Sequence, residues 1–107
     1  MTFTEEWNQV AADTLTTSLK HGFNEGNDGQ QLALIHAEVS EVLETLREKE
    51  MLFSEKIQGF WAVEEELADV VIRVMNFARQ RGYRLPEAIL AKAAYNTTRK
   101  FMHDKRF

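Results

Sequence analysis

Two stretches of this chain repeat one pattern, and few folds accommodate that pattern. Setting Leu32 against Phe60 aligns Ile35 with Val63, Glu38 with Glu66, Val39 with Leu67, Glu41 with Asp69, Val42 with Val70, Leu43 with Val71 and Leu46 with Val74. In both stretches apolar residues recur at steps of three and four, the period of an α-helix. Each stretch also carries an acidic pair at i, i+3, in the same phase relative to its apolar stripe. On a helix such a pair leaves one face with its side chains about 5–6 Å apart. Two helices of one design, packed antiparallel, would aim both pairs at a common centre. Glu38, Glu41, Glu66 and Asp69 would then make an all-oxygen cage suited to a hard divalent cation.

The remainder of the chain is also helical in pattern. Phe3, Trp7, Val10, Ala11, Thr14, Leu15 and Leu19 predict a first helix over Thr4 to Lys20, with Thr2 and Glu5 as its capping box. The glycine-rich segment 21–29 reads as a loop. The matched stretches predict helices over Gln30 to Glu50 and Phe60 to Arg81. The latter stops at Gly82, with Arg79 and Arg81 favourably placed in its last turn. Between them, Met51 to Gly59 is a connection in which Ser54 is placed to cap a short turn of helix. Pro86, the only proline, suits the first turn of a fourth helix running to Met102. No segment alternates as a strand does. The expected fold is all-α: a four-helix bundle formed by a single domain over residues 1–107. The second helix is apolar on two sides, with Leu34 and Ala37 nearly opposite the stripe. A helix of that kind is usually buried on two sides, so the bundle is expected to be completed by oligomerisation.

Composition removes several classes of function. With 44% hydrophobic and 28% charged residues the chain is globular rather than disordered. It has no cysteine, hence no disulfide framework and no thiolate metal site. The first ten residues carry Glu5 and Glu6 and lack the apolar run of a signal peptide. No stretch approaches the ~20 apolar residues of a membrane span. A cytoplasmic protein with no membrane partner is the expectation. The net charge of −4 argues against a nucleic-acid polymer as partner. It leaves room for a nucleotide, because bound metal offsets the acids.

Four carboxylates without cysteine or histidine suit Mg2+, or Mn2+ as a substitute, better than zinc. A di-iron bundle would carry Glu-x-x-His on two helices, and no glutamate here has histidine three residues later. On the fourth helix Lys92, Asn96, Arg99 and His103 recur at i, i+4, i+7 and i+11. Lys92, Asn96 and Arg99 form a stripe able to grip phosphate. Acids, metal and a basic grip together are what holding a polyphosphate requires. Glu64 and Glu65 suit the positive end of the helix dipole, although one of them could join the metal shell. Arg73, one turn beyond Asp69, is expected to pair with the acids, and His36 to be neutral and satisfied. Trp7, Phe23 and Trp61 could stack on a base, but each also suits a core or bundle-end position. The base-binding residues are left open.

These motifs resemble those of the MazG-type all-α nucleoside triphosphate pyrophosphohydrolases. The resemblance lies in Glu38-x-x-Glu41, 24 intervening residues and Glu66-x-x-Asp69, in the surrounding words LALIHAEVSEVLETLRE and EEELADVVIRVMNFA, and in Lys92, Asn96 and Arg99 followed by His103 and Lys105. It covers roughly residues 32–105. It implies hydrolysis of a nucleoside triphosphate to monophosphate and pyrophosphate, with Glu38, Glu41, Glu66 and Asp69 on Mg2+. Lys92, Asn96 and Arg99 would contact the phosphates, and the assembly would be a homodimer or homotetramer with its site between subunits. Water would attack the α-phosphorus, with Glu41, or next Glu38, as the catalytic base. Asn76 stands where an acid is expected in many relatives. A phosphoribosyl-nucleotide pyrophosphatase of the same superfamily and a non-catalytic metal- or nucleotide-binding helical module are the alternatives.

Overall fold

The structure, a computed structural model, describes residues 1–99. Those residues form four helices and no strand: α1 (Phe3–Lys20), α2 (Asp28–Lys49), α3 (Ala62–Gln80) and α4 (Leu85–Asn96). The helix ends follow from local chemistry. Thr2 and Glu5 cap α1 reciprocally: the Glu5 N–H donates to Thr2 Oγ1 at 3.1 Å, and the Thr2 N–H to Glu5 Oε1 at 3.3 Å. α2 starts at Asp28, earlier than its apolar pattern, because Asn27 and Gln30 make the same reciprocal cap at 2.8 and 2.9 Å. At the start of α3, Glu64 reaches back to accept the Trp61 N–H at 2.8 Å. Past its end Gly82 takes φ +71°, the left-handed turn glycine adopts without steric cost.

Two elements differ by more than a shifted start. The expected continuation of α4 over 100–102 lies outside the described residues, but the helix ends at Asn96 and residues 97–99 are not helical. There the Thr97 and Thr98 hydroxyls donate to the carbonyls of Ala94 and Tyr95, each at 2.7 Å. Arg99 is therefore beyond the helix, and His103 and Lys105 lie outside the described residues. The α2–α3 connection holds no helical turn. It is a loop closed by a single antiparallel bridge between Phe53 and Trp61, whose rings stack at 4.5 Å and 5°. Ser54 does cap a turn, accepting the Lys56 and Ile57 N–H groups at 3.1 and 3.0 Å.

α3 is the central element. It packs against α1, α2 and α4, whereas α2 packs, among the described residues, against α3 alone. α2 and α3 run antiparallel: Asp28, opening α2, pairs with Arg81 at the end of α3, and Glu38 pairs with Arg73 midway. Most positions of the repeated pattern are buried alike on both helices, though Glu41 and Leu46 are exposed where Asp69 and Val74 are half-buried. Ile35, Glu38 and Val42, like Val63, Glu66 and Val70, are half-buried at the α2–α3 seam. Val39 and Leu43, like Leu67 and Val71, face outward and are about half exposed. The apolar stripe of α2 is thus split between the seam and an open face. Among the described residues, the apolar side chains that are fully enclosed are Ala11, Met75, Ala78 and Pro86, which is a small core for a chain of this length.

Candidate functional site

The antiparallel seam brings the acids together. Glu38, Glu66 and Asp69 each offer a carboxylate oxygen, and these three atoms lie within 4.8 Å of one another. Glu41 lines the same cavity but is exposed and stands outside this trio. The cavity has a volume of about 330 Å³, the lower end of the range for small-molecule sites. α2 supplies Glu38 and Glu41, and α3 supplies Glu66, Asp69, Ile72, Arg73 and Asn76. Ser18 of α1, Phe23 and Asn24 of the first loop, and Lys56 of the second complete it.

The trio is electrostatically frustrated. Burial, then the charges of Asp69, Glu41, Glu65 and Glu38, push the Glu66 carboxyl above its ordinary value. Burial, then Glu38 and Glu65, push Asp69 up too, with Lys56 and Arg73 partly opposing. Glu66 Oε2 is buried and has no hydrogen-bond partner among the described residues. A buried carboxylate oxygen without a partner is costly, and a divalent cation is a partner that removes both the repulsion and the vacancy. The donor set fits Mg2+ or Mn2+, which take oxygen ligands.

The neighbouring acids are otherwise engaged. Glu65 accepts a hydrogen bond from Ser54 Oγ and faces Lys56 Nζ at 3.8 Å. Glu64 caps α3. One oxygen of Glu38 is taken by Arg73 Nε at 2.9 Å. Asn76, the expected departure from an acid, is enclosed and fully used. Its Oδ1 accepts Thr14 Oγ1 at 2.9 Å, and its Nδ2 donates to Ser18 Oγ at 2.9 Å and to Asn24 Oδ1 at 3.4 Å. Asn24, buried at φ +60°, is tied further by its carbonyl, which accepts Gln31 Nε2 at 3.2 Å and Gln80 Nε2 at 3.0 Å. This neutral amide network fixes the first loop and holds Phe23 at the cavity mouth, its ring 5.4 Å from the Arg73 guanidinium.

The α4 stripe lies elsewhere. Lys92 and Asn96 are exposed, α4 makes no packing contact with α2 among the described residues, and neither residue lines the acidic cavity. Lys92 and Arg99 instead sit over the Tyr95 ring, at 4.8 and 5.5 Å. His36 is exposed and also lies away from the cavity. Of the three aromatic candidates only Phe23 lines the cavity. Trp7 leans on Phe3 at 5.7 Å, and Trp61 stacks on Phe53. The contributions of Ser18, Asn24 and Lys56 had no signal in the sequence, because none belongs to a periodic motif.

Comparison with protein-family models, curated proteins and solved structures finds no match to this chain.

Proposed function

We propose that the chain is a Mg2+-dependent nucleoside triphosphate pyrophosphohydrolase working at the α2–α3 cavity. The observation that carries the reading is the buried Glu66 Oε2, without a hydrogen-bond partner among the described residues, beside Glu38 and Asp69. The resemblance of the Glu38–Asp69 motifs to the MazG-type enzymes supplies the reaction. Glu38, Glu66 and Asp69 would hold the cation, with Glu41 at the cavity's exposed side. When bound, the metal neutralises and orients the triphosphate. Glu41, outside the crowded trio, is the carboxylate freer to take a proton from the attacking water. The water oxygen bonds to the α-phosphorus as the α–β bridging P–O bond breaks, and pyrophosphate leaves with the electron pair.

Within its own chain the α4 stripe lies away from this cavity, so the reading has it supplied by another chain. The outward apolar positions of α2 and α3, among them Leu32, Val39, Leu43 and Val71, favour a homodimer or homotetramer in which a second copy covers them. Lys92, Asn96 and Arg99 of that copy would then be available to the phosphates. No helix among the described residues is long and apolar enough to cross a membrane, consistent with a substrate taken from solution.

The test is a panel of nucleoside triphosphates with Mg2+, assayed for monophosphate and pyrophosphate beside the double variant Glu38→Ala/Asp69→Ala. Release of pyrophosphate that the double variant lacks is the expected result. Orthophosphate release, or equal turnover in the variant, would reject the reading.

A further inference from the structure

The cations lining the acidic cavity, among the described residues, are Lys56 and Arg73. Only Arg73 is held firmly. Its Nε donates to Glu38 at 2.9 Å, its guanidinium lies 5.4 Å from the Phe23 ring centroid, and its side chain is 19% exposed. The Lys56 side chain is 81% exposed and, among the described residues, its ammonium pairs only with Glu65, at 3.8 Å. A guanidinium carries five N–H donors in one rigid plane. Arg73 commits the donor on Nε. Among the described residues its terminal nitrogens have no protein acceptor, although the side chain lines the cavity. The fixed plane, the unspent donors and the adjoining cation cage together describe a receptor for an anion that arrives with a metal.

We propose that Arg73 is an anion-contact residue of this site. With Nε fixed on Glu38, its terminal nitrogens bind a phosphoryl oxygen of the ligand. Glu38 then links the two halves of the ligand, one oxygen on Arg73 and the other free for the cation. The inference rests on the reading of the cavity as a metal–organophosphate site. It places an anion contact within a single chain, whatever α4 of a second copy adds.

The competing role for Arg73 is that of a brace that merely neutralises Glu38. The two roles differ in sign. Losing a brace leaves the Glu38 charge uncompensated and both its oxygens free for the cation, so cation and metal–anion binding both hold or tighten. Losing an anion contact leaves cation binding intact and weakens the anion.

The experiment compares the full chain with Arg73→Gln and Arg73→Lys by calorimetry. The probes are Mn2+ alone, Mn2+ with a non-hydrolysable nucleoside triphosphate analogue, and Mn2+ with inorganic tripolyphosphate. The expected result is that Arg73→Gln binds Mn2+ at least as tightly as the parent chain. It should bind both triphosphates roughly 10- to 100-fold more weakly, the scale of a charge-assisted hydrogen bond. Arg73→Lys should recover part of the loss, since it keeps the charge and loses the planar fork; it also serves if the glutamine variant fails to fold. Unchanged or tighter triphosphate binding in Arg73→Gln overturns the proposal and makes Arg73 a brace. A loss confined to the nucleotide, with tripolyphosphate unaffected, also overturns it, because Arg73 would then act through Phe23. A parent chain that binds Mn2+ but neither triphosphate refutes the pyrophosphohydrolase reading itself, and Arg73's role with it.

Discussion

Glu66 carries the sharpest conflict in the molecule, and its sign can be worked out. Its carboxyl is pushed above the ordinary range by burial and by four neighbouring acids. The folded chain therefore holds the proton more tightly than the unfolded chain does. Stability contributed by the protonated group is present at low pH and falls as pH rises from the ordinary carboxylate value through the raised one; above that the cost persists. Asp69 behaves in the same direction. Without divalent cations, Glu66→Gln should melt higher than the parent chain at neutral pH, and the gap should close on acidification. Adding Mg2+ should raise the melting temperature of the parent chain and leave the variant nearly unmoved, because only a ligand of the folded state stabilises it. Thermal melts at several pH values, with and without Mg2+, check both statements. Asn76 makes the opposite case, a buried polar group with every donor used. Asn76→Ala takes the donor from Ser18 Oγ and Asn24 Oδ1, leaves Thr14 only its longer bonds to the Ala11 carbonyl and Met75 Sδ, and should cost about 1–3 kcal/mol in urea unfolding, with little effect on Mn2+ binding. The acids of the cavity were legible because their spacing ties them to a helix period. Asn24 and Ser18 were not, because they reach the cavity through a left-handed turn and an α1–α3 crossing that no local pattern encodes.

At the scale of elements, what could be read was what is chemically local. The Thr2–Glu5 cap, Pro86 in the first turn of α4 and the Gly82 stop each depend on residues within one turn of the boundary. The errors have equally local causes. α2 starts before its apolar pattern because Asn27 and Gln30 form a cap among glycines that read as loop. Lys92, Asn96 and Arg99 keep helical spacing past the end of α4, where the consecutive threonines 97 and 98 bond back onto the last carbonyls. The α2 cap also borders the site, since the loop it closes carries Phe23 and Asn24. Asn27→Ala should lower stability by about 1 kcal/mol. Amide exchange should quicken in the first turn of α2 and in segment 22–26, while the α3 amides near Glu66 change little. Hydrogen-exchange mass spectrometry separates these segments.

For the whole molecule the deciding fact is how much apolar surface one chain leaves open. Val39, Leu43 and Leu46 on α2, with Leu67 and Val71 on α3, are 41–52% exposed, on helices whose other faces already share a seam. α2 has no packing partner besides α3 among the described residues. The proposed homo-oligomer would cover this face with the same two helices of a second copy, and a stable interface needs about 1,200–2,000 Å² in total. Light scattering should return at least twice the chain mass. Leu43→Asp, a charge placed in the middle of that face, should shift the protein toward the single chain and lower its melting temperature. The cavity then divides the outcomes. Glu38, Glu66, Asp69 and Arg73 all come from one chain, so the dissociated variant should still bind Mn2+. Lys92 and Asn96 lie away from the cavity in their own chain, so if the reaction needs them, turnover must disappear with dissociation while metal binding stays. A dissociated variant that retains full turnover would show that the phosphates are held by Arg73 and Lys56 alone, and that the α4 stripe has no part in the chemistry.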